Sequence, residues 1–453
     1  MKADVVICGA GIAGVAAAYY LTVHHGIRDV LLVDERAPLS LTSDKSTEAY
    51  RNWWPGPGTA MVRLMDRSID LLDDLAQETN NRFHMNRRGY VYLSADPARA
   101  SAIKREAVEI SQLGAGSLRI DQAYAFDPTQ GYAGQPGGAD LVLNPDLIAS
   151  SFPFINRDTV AMLHTRRCGW LSAQQLGMVL LEKARDAGAR FLDGRVASIR
   201  HRSNSIEAII VQSGRDTIEV QTGKFINAAG PFLKQLGVLL GLDLPVYNEM
   251  HGKIAFEDTL EIIPRDCPMM IWNDPISLPW SEEEQEDLAA YEDTAWLLDE
   301  FPAGLHFRPE GGPGSRTVLA LWPYHIQTFE HPKWPLQYEP EFVEIVMRGM
   351  IHMVPDLAVY QEKMGRPYVD GGYYTKTQEN RPLICPLPIS GAYVFGALSG
   401  YGIMAALAGA ELLAAHMTAS ELPPYAPAFH LARYDDPDYQ KILQNWDATA
   451  GQL

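Results

Sequence analysis

Three glycines near the start of the chain have the type and spacing to do chemistry. Gly9, Gly11 and Gly14 form GxGxxG, with an apolar run, DVVIC, before them and an alanine-rich run, VAAAYYLTVHHG, after them. Strand, turn and helix in that order present a helix N-terminus, opening at Ile12 and Ala13, to a diphosphate. Gly9 permits the tight turn, Gly11 admits the diphosphate to the backbone, and Gly14, with Ala18 one turn on, permits close helix–strand packing. Asp34 and Glu35 close a second apolar run, VLLVDE, where a carboxylate accepts from a ribose hydroxyl. The chemistry is dinucleotide binding, and this motif alone does not separate NAD from FAD.

A second glycine-rich turn lies near the other end, in ALSGYGIMAALAG. Ser399, Gly400 and Gly402, with Tyr401 and Ile403 between and after them, read as a tight turn from a strand into a long small-residue helix. Backbone N–H groups and a helix dipole there suit a ligand that gains negative charge. A third stretch, STEAYRNWWPGPG (46–58), has no clean period and reads as a loop. Arg51 in it is either a fork for a carboxylate or a structural arginine held by loop carbonyls and acids. Trp53 and Trp54 read as one pocket wall and one core plug.

Those motifs need elements to position them. The 453 residues exceed one ordinary core, and 47% hydrophobic with 21% charged residues is the balance of a globular enzyme. A net charge of −18 excludes nucleic acid as a natural partner. Cys8, Cys168, Cys267 and Cys385 lie far apart, with neither zinc spacing nor a disulfide framework, which fits a reducing compartment. No apolar run spans a bilayer, and a cytoplasmic location is expected.

DVVIC, the helix after it and VLLVDE make a βαβ unit. Residues 61–75 carry an amphipathic helical period, GYVYLS (89–94) alternates as a strand, and 114–160 is irregular. A helix over 171–189 precedes three strand-like runs, RVASIRHR, SIEAIIVQS and DTIEVQTGKFINAAG. The acidic SEEEQEDLAAYEDTAWLLDE reads as a solvated helix, and AYVFGALSGYGIM (392–404) as strand, turn and helix.

Taken together and in order, these pieces resemble the D-amino-acid-oxidase-like superfamily of FAD-dependent oxidoreductases, which includes sarcosine oxidases, glycine oxidase and dimethylglycine dehydrogenase. GAGIAGVAAAYYL with VDER looks like its N-terminal fingerprint, and GWLSAQQLGMVLLEKARDAGARFLDGRV like its middle helix and strand. FINAAGPFLKQLG looks like its second glycine motif, and YYTKTQENRPLICPLP with AYVFGALSGYGIM like its C-terminal flavin segment. The resemblance implies FAD, held by Gly9, Gly11, Ile12, Ala13, Gly14, Asp34, Glu35, Ser46, Thr47, Val196 (beside adenine), Ala228, Gly230 and residues 399–403. It also sets the 46–58 stretch along the flavin.

Departures matter. Gly372 and Tyr373 stand where some relatives carry a flavin-linking cysteine, and residues 27–83 contain no histidine, so non-covalent FAD is expected. Met404 replaces the lysine that follows SGxG in sarcosine-oxidase-like members, and residues 254–332 contain no lysine to serve as the oxygen-activating one.

The implied fold is α/β, with a discontinuous Rossmann-like FAD-binding domain (1–80, 161–235, 365–425) and an inserted mixed-sheet substrate domain (81–160, 236–364). Residues 426–453 are a short tail. Substrate-side candidates are Arg51, His251, Arg308, Tyr324, His325 and Tyr374. Arg308 reads more simply as an exposed ion pair, and His251 equally well as a core histidine. The expected reaction oxidises the C–N bond of an amino acid or N-substituted amino acid by hydride transfer to flavin N5, giving an imine that hydrolyses. Oxygen or another acceptor takes the electrons. The alternatives are a 2-hydroxy-acid oxidoreductase, which needs a base such as His251 or His325, and a non-catalytic flavin-containing assembly factor.

Overall fold

A computed structural model describes residues 1–129, 131–312, 314–324, 326–361 and 365–446. Its central layer is a six-stranded sheet in the order Leu383–Pro386, Ala392–Gly396, Phe225–Asn227, Val5–Cys8, Val30–Asp34 and Arg190–Asp193. All neighbours are parallel except the hairpin of Leu383–Pro386 with Ala392–Gly396. The inner strands are short and largely apolar because both faces are covered, while the edge strand Arg190–Asp193 is partly exposed. Val5 and Ile7 join one core with the helices Ile12–Tyr19, Ala60–Glu78, Ala173–Asp186 and Gly402–Thr418. Val6 and Cys8 join another, under a three-stranded antiparallel sheet of Arg195–Arg202, Ser205–Ser213 and Asp216–Gln221.

The first helix ends sooner than its alanine run suggests, passing into a π-type turn at Tyr20–His24. DTIEVQTGKFINAAG is two strands, not one: Asp216–Gln221 belongs to the three-stranded sheet and Phe225–Asn227 to the central one. The irregular 114–160 stretch contains two strands, Leu118–Ile120 and Ala139–Val142, and a helix, Pro145–Ser151. The 46–58 stretch is not wholly loop either. Ala49–Arg51 is a strand paired antiparallel with Cys168–Trp170, a partner too far along the chain to be read locally.

The third layer is a ten-stranded mixed sheet. Its middle runs Tyr247–Glu257, Thr317–Leu321, His306–Pro309, Met269–Trp272, Tyr90–Ser94 and Ala161–Thr165, and Tyr368–Lys376 pairs along Tyr247–Glu257. The span 365–425 therefore divides between two sheets, because Tyr368–Lys376 belongs to the ten-stranded one. One face of this sheet (Val91, Met270, Phe307, Ala320, Ile254) packs a separate core with the helix Phe342–Met353. The alternate residues face the central layer.

The acidic helix, Glu282–Ala289, buries none of its residues but ties down through Glu284 to Arg348. The tail is also tied down. Arg433 donates to Glu379, which is itself buried and also accepts from Tyr434 and Tyr439.

Candidate active site

At the C-terminal ends of the central strands the chain encloses a cavity of about 600 Å³. Its lining brings together Gly9, Gly11, Ile12, Ala13, Asp34, Glu35, Ser46, Val196, Ala228, Gly230, Tyr374, Ser399, Gly400, Gly402 and Ile403. Ligands of open α/β sheets bind at this end of the strands. Two helices, Ile12–Tyr19 and Gly402–Thr418, direct their N-termini at it. Gly9 has φ +107, and a Cβ on Gly14 would overlap the Gly9 carbonyl oxygen, so the turn and the helix close on each other only as glycines.

Asp34 does more than line the cavity. Its carboxylate accepts from the N–H of Ala10 at 2.8 Å and of Arg36 at 3.0 Å, which fixes the glycine turn to the end of the second strand. Burial raises its pKa against those two bonds. Ser43 Oγ accepts from the Ile12 N–H at 2.9 Å. Ser43 and Thr42 line the cavity and were missed in the sequence, although TSDKST is a legible cluster of hydroxyls after the second strand.

Three predicted cofactor residues, Gly14, Thr47 and Tyr401, are not in the lining. Gly14 packs under Gly9, and the Thr47 carbonyl accepts from Arg308 Nε at 2.6 Å. Tyr401 donates its hydroxyl to the Asn380 carbonyl at 2.7 Å and meets Trp54 edge-on at 5.0 Å. All three support the wall from behind.

Of the ten-stranded sheet, Tyr373, Tyr374 and Thr375 reach the described lining, and the predicted Arg51, His251 and Arg308 do not. Arg51 is buried, its guanidinium 4.6 Å over the Trp54 ring and donating to Tyr92 Oη at 2.7 Å. Trp54 stands beside Arg51, but Trp53 and Trp54 are both buried in the same core and neither is in the described lining. Tyr92, on an interior strand, and Tyr374, on a strand paired along Tyr247–Glu257, both keep accessible surface. Tyr374 packs against Gly400, whose φ is +79 and whose absent Cβ leaves room for the ring. Behind Tyr374, the His251 ring stacks at 4.1 Å and 17°. His251 Nε2 donates to Glu249 at 3.3 Å, and Lys376 donates to the same carboxylate at 2.9 Å. Burial lowers the His251 pKa despite Glu249. Burial alone would raise Glu249, but His251 and Lys376 hold it below its ordinary value.

Arg308 corrects the expectation of an exposed ion pair. Its side chain is 1% exposed, because residue alternation turns it inward onto Glu48, Glu310 and the Thr47 carbonyl. Tyr324 is not brought to the cavity. Its hydroxyl goes to Glu339, and its ring packs with Phe301, Trp322 and Phe342 on the outer core. His325 lies outside the described residues. Lys253, one residue before the lysine-free window, is buried and donates to the Ser46 carbonyl at 3.0 Å. Burial lowers its pKa. Only the sheet register reveals that it faces the cavity side.

Comparison with known proteins accounts for this geometry. The family described as FAD dependent oxidoreductase (DAO) matches residues 4–416. The chain belongs to the DAO family.

Dimethylglycine dehydrogenase, mitochondrial, of Rattus norvegicus is 24% identical over 273 residues, covering 59% of this chain and 28% of that protein. Sarcosine oxidase subunit beta of Rhodobacter capsulatus is 24% identical over 223 residues, 48% of this chain and 50% of that subunit. The chain thus aligns with half or less of these curated relatives' length. Among solved structures, L-proline dehydrogenase from P. horikoshii superposes with TM-score 0.73 at 19% identity, covering 96% of this chain and 98% of that one. Glycine oxidase from Geobacillus kaustophilus gives 0.72 at 17% identity, covering 95% and 99%. These likenesses establish the DAO fold.

The cavity fits the family's cofactor. A Cβ at Gly9 would strike the Ala228 carbonyl, so backbone from two strand ends is drawn together where a diphosphate needs N–H donors. Among the described residues no helix is long and apolar enough to cross a membrane, and no group of three or more His, Cys, Asp or Glu could hold a metal.

Proposed function

We propose that this DAO-family oxidoreductase holds FAD non-covalently and oxidises the carbon–nitrogen bond of a small carboxylate-bearing amino acid or N-substituted amino acid. The product is an imine that water hydrolyses. The proteins it is similar to are named for dimethylglycine, sarcosine, proline and glycine, which share that chemistry. Gly9, Gly11 and the start of the first helix would hold the diphosphate, Asp34 and Glu35 the ribose, Val196 the adenine, and Ser46 with residues 399–403 the ring system. Non-covalent attachment is supported by Gly372 and Tyr373 at the linking position. Cys8 is the one cysteine among the described lining residues, and burial pushes its thiol far above the ordinary range, away from nucleophilic use. The unpaired cysteines favour a reducing, cytoplasmic setting.

When bound, FAD supplies a two-electron acceptor for the hydride leaving the carbon that bears nitrogen. The chain's own residues orient and desolvate the substrate. The observation that carries the reading is Arg51: a buried guanidinium, 4.6 Å over the Trp54 ring and donating to Tyr92, of the type that forks a carboxylate. Tyr374, held between His251 and Gly400, walls the reacting end. His251 gives its Nε2 to Glu249 and its face to Tyr374, which argues against its serving as the base a 2-hydroxy acid would need.

Arg51→Ala is expected to raise KM about 30-fold or more, the equivalent of about 2 kcal/mol, with flavin content unchanged. Loss of flavin or solubility without a selective KM effect would return Arg51 to architecture.

A further inference from the structure

A second cavity, of about 830 Å³, opens where the end of the chain folds back over the body, and its lining shares no residue with the first. Residues from 422–428 and the helix Pro437–Gln444 meet Arg381 and His416 around it. One tight turn links the two cavities, since Thr375 lines the first and Arg381 the second. Within that turn Thr377 Oγ1 accepts from the Arg381 N–H at 3.0 Å and donates to the Arg381 carbonyl at 2.7 Å. The Asn380 carbonyl between them accepts from Tyr401, on the flavin side.

Arg381 brings an uncompensated charge to this lining. The residue is 6% exposed. Its Nη2 donates to the Pro57 carbonyl at 2.5 Å and its guanidinium lies 5.0 Å over the Trp446 ring, but among the described residues no carboxylate pairs with it. Nε is enclosed without a partner, and Nη1, also without a bond, is not enclosed. Arg433, in the same lining, is already spent. It pairs with Glu379 at 2.7 Å and donates to the Pro382, His430 and Arg381 carbonyls. Asp436, the one carboxylate in the lining, is exposed and accepts from the Asp438 N–H of its own helix at 2.9 Å. A buried guanidinium without a counter-ion is costly, and an incoming anion relieves that cost.

Two histidines add polarity to the same wall. The Ala432 N–H donates to His430 Nδ1 at 3.0 Å, which puts the ring proton on Nε2 as a donor. The His416 ring lies 6.1 Å from that of His430, and its Nε2 is enclosed without a partner. Burial lowers both pKa values, His430 adding to the effect on His416 and Arg433 to that on His430, so the pair adds no charge. Leu422 and Ile442, each 42% exposed, complete the wall with Pro423, Pro424 and Pro427. Apolar walls around one cation and a few polar groups are the pattern of a small-molecule site. We propose that this second cavity binds a small monocarboxylate carried on an apolar body, with Arg381 as its counter-ion. The proposal is independent of the substrate reading of Arg51, which is not in this lining.

Calorimetry on the FAD-loaded protein tests this with benzoate and benzyl alcohol, which keeps the ring and lacks the charge. Benzoate is expected to bind about tenfold or more tighter than the alcohol. R381M removes the cation, and L422E sets a carboxylate in the wall while leaving Arg381 in place. Each is expected to weaken benzoate about tenfold and the alcohol by no more than about twofold, while R381K keeps part of the preference. If R381M fails to fold, L422E decides, because Leu422 is exposed. Visible flavin absorbance, read in the same titrations, reports benzoate that enters the first cavity. No benzoate binding, or binding that folded L422E leaves unchanged, overturns the proposal. So does a variant that weakens both ligands equally. Benzoate whose whole binding tracks the flavin absorbance sits in the first cavity, and that result overturns the proposal as well.

Discussion

The floor and the roof of the site are built from different parts of the chain. The floor is backbone: glycine turns at 9–14 and 399–402, two helix N-termini, and carbonyls drawn close where side chains are missing. The roof is side chains: Arg51, Tyr92, His251, His306, Arg308 and Tyr374, one or two from each of several strands, buried or nearly so, with Arg51 bonded to Tyr92 and His251 stacked on Tyr374. A floor made of N–H groups suits a ligand common to a whole family. A roof made of charged and aromatic side chains can change one residue at a time, and it is where we propose that selectivity resides.

The comparison breaks first at its tightest backbone contact. Gly14→Ala puts a methyl group into the Gly9 carbonyl and is expected to abolish bound FAD, seen as purified protein without visible flavin absorbance. A yellow, fully loaded Gly14→Ala protein would show that the floor tolerates side chains.

Gly400→Ala sits where floor meets roof. The new Cβ would press into the Tyr374 ring, and φ +79 adds strain. Flavin is expected to be retained, with the anaerobic rate of flavin reduction down about tenfold or more. Loss of flavin without a rate effect would move Tyr374 from the roof to the floor.

The smallest effect separates the two by pH. Glu48 borders the site at φ +57, and burial raises its pKa to about 7, Arg308 opposing. The folded state thus holds this proton more tightly than the unfolded chain does. The group's contribution to stability is fully present below about pH 4.5 and declines as pH rises toward about 7. Glu48→Gln removes that decline, so its stability should exceed the wild-type value by about 1–3 kcal/mol at most at pH 8, seen as a higher melting temperature, and approach it at pH 4. Parallel melting curves at both pH values would contradict it.

The same contrast explains what the sequence made readable. Gly9, Gly11, Gly14 and residues 399–403 are contiguous motifs whose spacing follows from the turn they make, so most of the floor could be read along the chain. Arg51 stood out because it sits among tryptophans. His306, Lys253 and Tyr92 did not, since each is an ordinary residue whose meaning lies in strand register with partners far away in sequence. Arg308 was found but assigned to solvent, because nothing local says which face of its strand is inward. Tyr324 was placed at the site for the same reason and packs on the opposite face.

The most direct test is anaerobic flavin bleaching of the holoenzyme with matched sets of amino acids, N-alkyl amino acids and 2-hydroxy acids. Bleaching by at least one amino acid or N-alkyl amino acid, and by no hydroxy acid, is the expected result. Bleaching by hydroxy acids alone, or by none of the three sets, would contradict the account.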